Sequence, residues 1–392
     1  MPLSTLSHVS LAAVSAVLPP GEIRLEDELR YFGGSLEKAE KANRLSGMRT
    51  RRVAEDGVSA ADLCRQAAER LFAESDRDGG KVREEIGVVA FMSQSPDYLL
   101  PATASLLQDS LNLSPGCVAL DMNSGCAGFV HGLWMLSGMI ASGACEKALL
   151  LVGDTPARFL DPANRVVAPL FGDAGSAALL EKTDAGASLS FLLGNDGSGY
   201  EALIIPGGGS RIPQRPDEGP KASFKRTVTD ANGNPWTLGD YGQLWMHGMS
   251  VFSFGVGVVP AHIRRHLELA GVAPGELEYL LLHQANKLML ETIAKKVGVA
   301  PEKAPTAMIG RYGNLGAASI PTLICEEFAG LPPGAGPERV LLCGFGAGLS
   351  WSSCLLSLKN TRISPVETYE AEEAPLSREE RIAYWHEKFS RA

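Results

Sequence analysis

The 392-residue sequence lacks several patterns that would assign a protein to a class at once. It has seven cysteines but no CxxC pair, and no group of cysteines and histidines has the spacing of a zinc site. It has no run of about 18 apolar residues, the length that a membrane-spanning helix needs. We therefore predict a cytoplasmic protein with reduced thiols, no structural metal and no membrane span.

Positive charge is also scarce, with 36 Lys and Arg against 45 Asp and Glu and a formal net charge of −9. This balance argues against a nucleic-acid partner, because nucleic-acid binding needs basic residues to neutralise phosphates. The N-terminal stretch MPLSTLSHVSLAAVSAVLPPGE has no Lys or Arg before its apolar part and ends in Pro-Pro. We expect a first strand there rather than a signal peptide.

What the sequence does contain is an order of elements that occurs twice. In the first half the patterns predict helices at 59–74, 101–113 and 126–144, and strands at 86–95, 117–122 and 147–154. In the second half they predict strands at 277–286 and from 339, and helices at 287–299 and 321–330. Cys126 and Asn314 are 188 positions apart at corresponding loop-to-helix junctions, and Ser95 and His283 have the same separation. We predict two α/β halves related by duplication, with chance similarity as the alternative.

The predicted boundaries follow from this repeat. The N-terminal half spans 1–181 and carries the cysteine, and the C-terminal half spans 182–359 and carries the histidine and the asparagine. Residues 206–240 are rich in Gly, Pro and mixed charges and predict an excursion loop. Residues 360–392 form a charged tail, in which SREERIAYWHEKFSRA is compatible with a short amphipathic helix.

Cys126 is the first candidate for chemistry. It stands in DMNSGCAGF, where the strand pattern gives way to a helix and the neighbouring side chains are small. A thiol attacks only as thiolate, and the N-terminus of a helix favours the anion. The position therefore suits an activated nucleophile, although a buried structural cysteine at a tight turn fits the same letters.

Two further motifs offer partners for this thiol. His283 opens HQAN at the end of an apolar strand, and Asn314 lies in GNLGAAS before a helix. A structural histidine and a turn asparagine are the alternatives for each residue taken alone. The stretch GFGAGLSW (344–351) is not a dinucleotide fingerprint. It predicts a tight turn, or a backbone N–H donor beside the cysteine.

Together the motifs resemble those of the β-ketoacyl-[acyl carrier protein] synthase III family of the thiolase superfamily, from about residue 5 to 358. The matching stretches are SGMRTRR (46–52), DMNSGCAGF (121–129), LFGDAGSAALL (170–180), HQAN (283–286), GNLGAAS (313–319) and GFGAGLSW (344–351). The resemblance implies an α/β fold, the thiolase-like duplicated five-layer αβαβα architecture, and a homodimer.

The resemblance also implies a reaction. An acyl thioester acylates Cys126, malonyl-acyl carrier protein loses CO2, and the carbanion attacks the acyl-cysteine to give a 3-ketoacyl thioester. His283 and Asn314 would bind the malonyl thioester carbonyl, and the backbone N–H groups of Cys126 and Ala347 would form the oxyanion hole. Imidazole and carboxamide groups suit this chemistry, because decarboxylation places negative charge on an oxygen atom.

The residues that the resemblance places at the substrate site match the family's pattern less closely than the cysteine, histidine and asparagine do. Arg158 matches a family arginine near the CoA phosphate, and Phe345 is expected to contact substrate. Lys41 and Leu45 stand where the family has a tryptophan and an arginine, and Leu100 stands where a residue shapes the acyl pocket. We therefore expect a donor other than simple acetyl-CoA, or one that arrives on a carrier protein.

Acyl carrier protein is the implied partner, and acyl-CoA or acyl-carrier protein is the implied substrate, with no further cofactor. Carrier proteins are acidic, so an acidic enzyme needs a local basic face. The predicted docking residues are Lys287, Lys295 and Lys296, on the helix after HQAN.

Three rival functions share some of these features. A papain-type hydrolase has the same residue order, but its CGSCW signature is missing. A thiolase-superfamily acyltransferase or condensing enzyme that uses a non-malonyl acceptor is the closer rival. A non-catalytic partner subunit normally loses the triad, which is complete here.

Overall fold

The elements of the fold come from a computed structural model, which describes residues 3–77, 79–161, 164, 166–184, 187–213, 226–229, 235–238, 242–332, 334–371 and 374–390. The helices are α1 Leu36–Ser46, α2 Ala60–Arg77, α3 Val82–Glu85, α4 Thr103–Ser110, α5 Gly128–Ala141, α6 Gly248–Ala270, α7 Lys287–Val297, α8 Ile309–Tyr312, α9 Ser319–Phe328 and α10 Arg378–Ser390. The strands of the first half are β1 Ser4–Ser7, β2 Val9–Leu18, β3 Gly21–Arg24, β4 Thr50–Val53, β5 Ile86–Met92, β6 Val118–Met122, β7 Lys147–Asp154 and β8 Ala174–Lys182. Those that follow are β9 Ser188–Asn195, β10 Leu203–Ile204, β11 Arg226–Thr229, β12 Pro235–Leu238, β13 Trp245–Met246, β14 Tyr279–Leu282, β15 Val340–Gly346, β16 Ser350–Leu356, β17 Arg362–Ile363 and β18 Glu367–Thr368.

Two sheets carry the same strand order. The seven-stranded sheet runs β17-β2-β8-β7-β5-β6, with β18 also on β2, and the five-stranded sheet runs β1-β9-β16-β15-β14. In the first sheet β2, β8 and β7 pair antiparallel and β7 pairs parallel with β5. In the second, β9, β16 and β15 pair antiparallel and β15 pairs parallel with β14. The predicted duplication is confirmed by this shared order.

Helices fill three layers around the two sheets. The central helices α5 and α9 contact strands of both sheets, which explains why α5 is apolar on most of its surface. Helices α2 and α4 cover the outer face of the first sheet, and α6 and α7 cover the outer face of the second. Strand β7 is buried on both faces, as expected of a strand with helices on either side. The layer order is αβαβα, as predicted.

Local signals explain where the helices that frame the site begin and end. The Ser59 hydroxyl accepts a hydrogen bond from the Asp62 N–H at 3.3 Å, and the Asp62 carboxylate accepts one from the Ser59 N–H at 2.8 Å. Helix α7 begins after Asn286, whose side chain accepts from the Met289 N–H at 2.9 Å, and ends at Gly298 with φ +89°. Since β14 ends at Leu282 and α7 begins at Lys287, His283 lies directly after the end of the strand.

The two segments predicted to be irregular are partly ordered. Within the excursion at 206–240 the described residues include the β11–β12 hairpin, and most of the remaining excursion lies outside the described residues. The predicted tail helix is confirmed as α10. The tail before it is more than a free extension, because β17 and β18 pair with β2 in the first sheet. No helix in the described part of the chain is long and apolar enough to cross a membrane.

Candidate active site

One cavity brings the three predicted catalytic residues together. Cys126, His283 and Asn314 line a space of about 210 Å³ between the two halves. All three are buried, with exposed fractions of 8%, 1% and 6%. Predicted substrate residue Phe345 lines the same cavity, with its ring 5.6 Å from that of His283. The described residues that also line it include Phe171, Met246, Phe252, Met289 and Gly346.

The Cys126 loop is packed against strand β15 of the other half. A Cβ placed on Gly346 would lie 2.9 Å from the Cys126 sulfur, and one on Gly344 would lie 2.7 Å from the Cys126 carbonyl oxygen. Real Cβ atoms do not come this close, so both positions need glycine for the backbones to approach. The stretch GFGAGLSW therefore does more than form a turn, because its glycines seat the predicted nucleophile.

The surroundings of the Cys126 thiol raise its pKa rather than lower it. Burial, with a smaller contribution from the nearby carboxyl of Asp154, raises the pKa of Cys126 to about 12. The backbone N–H groups of Cys126 and Ala347 face the sulfur and oppose this shift. Helix α5 begins at Gly128, so Cys126 precedes the helix, and burial is the largest influence on the thiol pKa. These two N–H groups are the ones predicted to form the oxyanion hole.

His283 enters the cavity as a neutral imidazole. Its backbone N–H donates to the Cys343 carbonyl at 2.9 Å, which ties the residue to β15. Burial lowers the pKa of His283 to about 3, against the opposing effect of the Gly316 carbonyl. The ring Nδ1 has no hydrogen-bond partner among the described residues. At neutral pH the side chain can therefore offer a hydrogen bond without carrying a charge.

Asn314 is oriented by its own loop. Its backbone N–H donates to the Leu170 carbonyl at 2.9 Å, and its carbonyl accepts from the Gly172 N–H at 3.0 Å. Its Oδ1 accepts from the Gly316 N–H at 3.0 Å. Since the oxygen is occupied, the amide NH2 group is the part left to donate to a substrate.

A second, larger cavity also has Cys126 in its lining. Several of its other lining residues were not proposed as site residues from the sequence. It measures about 520 Å³ and is lined by Asn123, Ser124 and Gly125 of the cysteine loop. The described residues beside them include Gln94, His131, Asp154, Phe171 and Asn195. Asp154 left one signal in the sequence, because it is the charged end of the apolar strand KALLLVGD.

The structure separates other predicted substrate residues from these cavities. Leu100 is 83% exposed and lines neither of them, because the loop that carries it leads outward to α4 on the outer face of the sheet. Leu100 therefore lies outside both cavities of its own chain, and its role at the acyl pocket stays a prediction. Arg158 also lies outside the cavities, since its guanidinium donates to the carbonyls of Glu55 and Val58.

The residues that line the cleft near the predicted CoA entrance also differ from those predicted. A cleft of about 760 Å³ is lined by Arg44, Arg49 and Lys287, whereas exposed Lys41 does not line it. The described residues that line it with them include Glu22, Arg24, Glu26 and Glu40. The other predicted docking residues, Lys295 and Lys296, lie in the last turn of α7, and the Lys296 amine donates to the Val256 carbonyl at 2.8 Å.

The fold and the buried cysteine, histidine and asparagine define a thiolase-like enzyme. A 3-oxoacyl-(acyl-carrier protein) synthase of Burkholderia xenovorans has the same fold with a TM-score of 0.83 and 33% identity, covering 94% of this chain and 99% of that one. A β-ketoacyl-[acyl carrier protein] synthase III of Thermus thermophilus has a TM-score of 0.74 and 28% identity, covering 90% and 99%.

Sequence comparison narrows this class to one family. Residues 120–197 match the family described as 3-oxoacyl-[acyl-carrier-protein (ACP)] synthase III, and residues 267–358 match its C-terminal part. A Streptococcus pneumoniae β-ketoacyl-[acyl-carrier-protein] synthase III is 32% identical over 314 residues, 80% of this chain and 89% of the relative. A Campylobacter jejuni relative of the synthase 3 type is 31% identical over 368 residues, 92% and 97%.

The chain belongs to the β-ketoacyl-[acyl carrier protein] synthase III family. It is an acyl-transferring condensing enzyme, so the predicted family and enzyme class are confirmed. The rival with a non-malonyl acceptor is not favoured by these relatives.

Proposed function

We propose that Cys126, His283 and Asn314 carry out the decarboxylative condensation of an acyl thioester with malonyl-acyl carrier protein. The observation that supports this assignment best is the single buried cavity that these residues share, with the N–H groups of Cys126 and Ala347 facing the sulfur. The name of the family includes the carrier protein, and the site chemistry suits an acyl-cysteine intermediate.

In the first half-reaction the Cys126 sulfur attacks the carbonyl carbon of the acyl thioester. A new C–S bond forms, the bond to the donor thiol breaks, and the thiol proton of Cys126 leaves with the donor thiol. Negative charge develops on the carbonyl oxygen, where the N–H groups of Cys126 and Ala347 stabilise it.

In the second half-reaction the malonyl thioester loses CO2, and the electron pair moves toward the thioester oxygen. His283 and the Asn314 amide donate hydrogen bonds to that oxygen. Removing one such donor typically costs about 2.7–4 kcal/mol of transition-state stabilisation. The carbanion then attacks the acyl carbon, the C–C bond forms, and the C–S bond to Cys126 breaks, which restores the thiol after protonation.

Acyl carrier protein is the proposed partner, and the proposed docking surface includes the cleft of Arg44, Arg49 and Lys287, whose lining also contains Glu22, Glu26 and Glu40. The acyl donor is carried by CoA or by carrier protein and differs from acetyl-CoA. The second cavity supports this donor, since its polar lining of Asn123 and Ser124 continues beyond the thiol into about 520 Å³. No cofactor beyond these substrates takes part.

We also propose that the enzyme is a cytoplasmic homodimer. Strand β6 lies at the edge of its sheet, and Val118 on it is 51% exposed. An open, apolar edge strand is a surface that a second copy would cover. The exposed Leu99 and Leu100 are close to this edge, because α4, which follows them, packs on β6. In a dimer Leu100 could meet the cavity of the other copy.

A donor panel tests the proposed function. Acetyl, medium-chain and carboxyacyl groups are each offered on CoA and on carrier protein, with malonyl-acyl carrier protein as acceptor. We expect ketoacyl product, CO2 and a mass increase on Cys126. Free acid without ketoacyl product contradicts the synthase assignment, and the highest kcat/KM for acetyl-CoA contradicts the proposed donor.

A further inference from the structure

Asp154 is a buried carboxyl to which the proposed reaction assigns no role. It ends strand β7 with an exposed fraction of 5% and lines the second cavity beside Cys126. A buried carboxyl is costly unless it is hydrogen-bonded or serves the chemistry. The contacts of Asp154 therefore indicate what it does.

On the N-terminal side Asp154 holds the loop that follows strand β5. Its Oδ1 accepts from the Gln94 N–H at 2.6 Å, from the Ser93 hydroxyl at 3.1 Å and from the Ser95 hydroxyl at 3.4 Å. The Gln94 side chain lies so close to Gly125 that a Cβ there would overlap it. Through Gln94, Asp154 is thus connected to the residue that precedes Cys126.

On the C-terminal side the same carboxyl meets the turn that follows Asn314. The Ala317 N–H faces the carboxylate, and a Cβ on Gly316 would lie 3.0 Å from Asp154 Oδ2. Gly316 has φ +56°, a conformation that favours glycine. This glycine donates its N–H to Asn314 Oδ1, and its carbonyl faces His283. One turn therefore contacts both proposed hydrogen-bond donors and rests on Asp154.

We propose that Asp154 is a positioning residue for the condensation step. Its carboxyl fixes the position of the 316–317 turn relative to the 93–95 loop around Cys126. The inference rests on the proposed function, since it assumes that His283 and Asn314 act on the malonyl thioester. Asp154 acts through these neighbours, and its charge also affects the thiol. Burial raises the pKa of Asp154 to about 6, and the groups facing it include the thiols of Cys126 and Cys64.

The variant Asp154→Asn tests the proposal, because it keeps the volume but removes the charge and turns one acceptor into a donor. We expect CO2 release from malonyl-acyl carrier protein to fall by about tenfold or more relative to the rate of Cys126 acylation. We also expect faster alkylation of Cys126 by iodoacetamide at mildly alkaline pH, because the carboxylate that raises the thiol pKa is gone.

Asp173→Asn is the matched control. Asp173 is also buried and accepts backbone hydrogen bonds from Ala54 at 2.8 Å and Ala157 at 3.0 Å, but it lines neither cavity. This variant should lose stability in a similar way while the ratio of CO2 release to acylation and the alkylation rate stay parental. If Asp154→Asn has the same ratio of CO2 release to acylation and the same alkylation rate as Asp173→Asn, the proposal is overturned.

A second variant covers the case in which Asp154→Asn does not fold. Gly316→Ala disturbs the same contact from the other side and should lower CO2 release while acylation is retained. Where both variants fold, their combined effect should be smaller than the product of the single effects. Fully multiplicative losses overturn the coupling. A parental enzyme that acylates Cys126 but releases no CO2 instead contradicts the proposed function, and the alkylation rate still tests Asp154.

Discussion

The two halves share a strand order but contribute differently to the cavity. Strand β7 of the N-terminal half ends in Asp154, whereas its counterpart β15 ends in Gly346, which lies against the Cys126 sulfur. The N-terminal half supplies the proposed nucleophile, Cys126, and the C-terminal half supplies His283 and Asn314. The duplicated framework therefore places two unlike strand ends around one space, and the chemistry comes from their difference.

The buried titratable groups differ in the same way. In the N-terminal half, burial raises the pKa of Asp154 and of Asp173 to about 6. In the C-terminal half, burial lowers the pKa of His262 and of His266 to about 4, and that of His283 to about 3. Burial favours the neutral form of every one of these groups, so the carboxyls and the histidines change the stability in opposite directions when the pH changes.

The largest loss of activity should come from removing Cys126, which the N-terminal half contributes to the site. Cys126→Ala should abolish both the mass increase with an acyl thioester and product formation, because no other thiol meets the two N–H donors. Intact-protein mass spectrometry measures this directly. An adduct that persists in the variant, or that appears only on Cys64 or Cys343, contradicts the role of Cys126.

Removing the C-terminal half's donors should separate the two half-reactions. His283→Ala and Asn314→Ala should still form acyl-enzyme but release CO2 about 10²–10³-fold more slowly, as expected for loss of one oxyanion donor. Single-turnover acylation and CO2 release are the two measurements. CO2 release at the parental rate in either variant refutes the assigned division of labour.

The contact between the halves should tolerate little added volume. Gly346→Ala would place a Cβ 2.7 Å from that of Cys126, so we expect a loss of about 1–3 kcal/mol in the free energy of unfolding and slower acylation. Gly257→Ala in helix α6 is the control, because its Cβ would meet no atom within 4 Å. That change should stabilise the protein by up to about 1 kcal/mol. Equal urea midpoints for the two variants contradict this close packing.

The opposing titrations predict opposite changes in the pH dependence of stability. The C-terminal histidines have depressed pKa values, so they lower stability as the pH falls below about 6.5, where the unfolded chain takes up their protons. The N-terminal carboxyls have raised pKa values, so they lower stability as the pH rises from about 4 to 6.

Single substitutions can test this opposition between about pH 4 and pH 7. Asp173→Asn should make the loss of stability in acid steeper, because it removes a group that favours the folded state at low pH. His266→Gln should make that loss shallower. Urea midpoints across the range measure both slopes, and changes of the same sign in the two variants contradict the opposition.

The smallest effect concerns the surface that receives the carrier protein. Lys287→Glu should raise KM for malonyl-acyl carrier protein by a few-fold and weaken its salt dependence, since exposed ion pairs contribute about 0.2–1 kcal/mol. The pair Lys295→Glu and Lys296→Glu should raise the same KM if the C-terminal end of α7 also binds the carrier protein, so comparing the variants shows which end of the helix takes part. Kinetics unchanged in all variants refute docking on this helix.

Local patterns in the sequence determined much of the fold. Apolar periodicity predicted α2 and α7 close to their observed bounds, because burial of one face imposes the helical period. The repeated order of elements predicted two like halves, and HQAN and GNLGAAS led to His283 and Asn314. Each of these signals is carried by residues within one or two elements.

Only the tertiary structure decided how the halves meet. The sequence could not show that Gly316 touches Asp154, because these residues are far apart in the chain and do not lie in the same motif. Nor could it show that Leu100 faces outward, or that the Cys126 thiol has a raised pKa. Desolvation depends on every atom packed around a group, so the acidity of the thiol emerges only when both halves close over it.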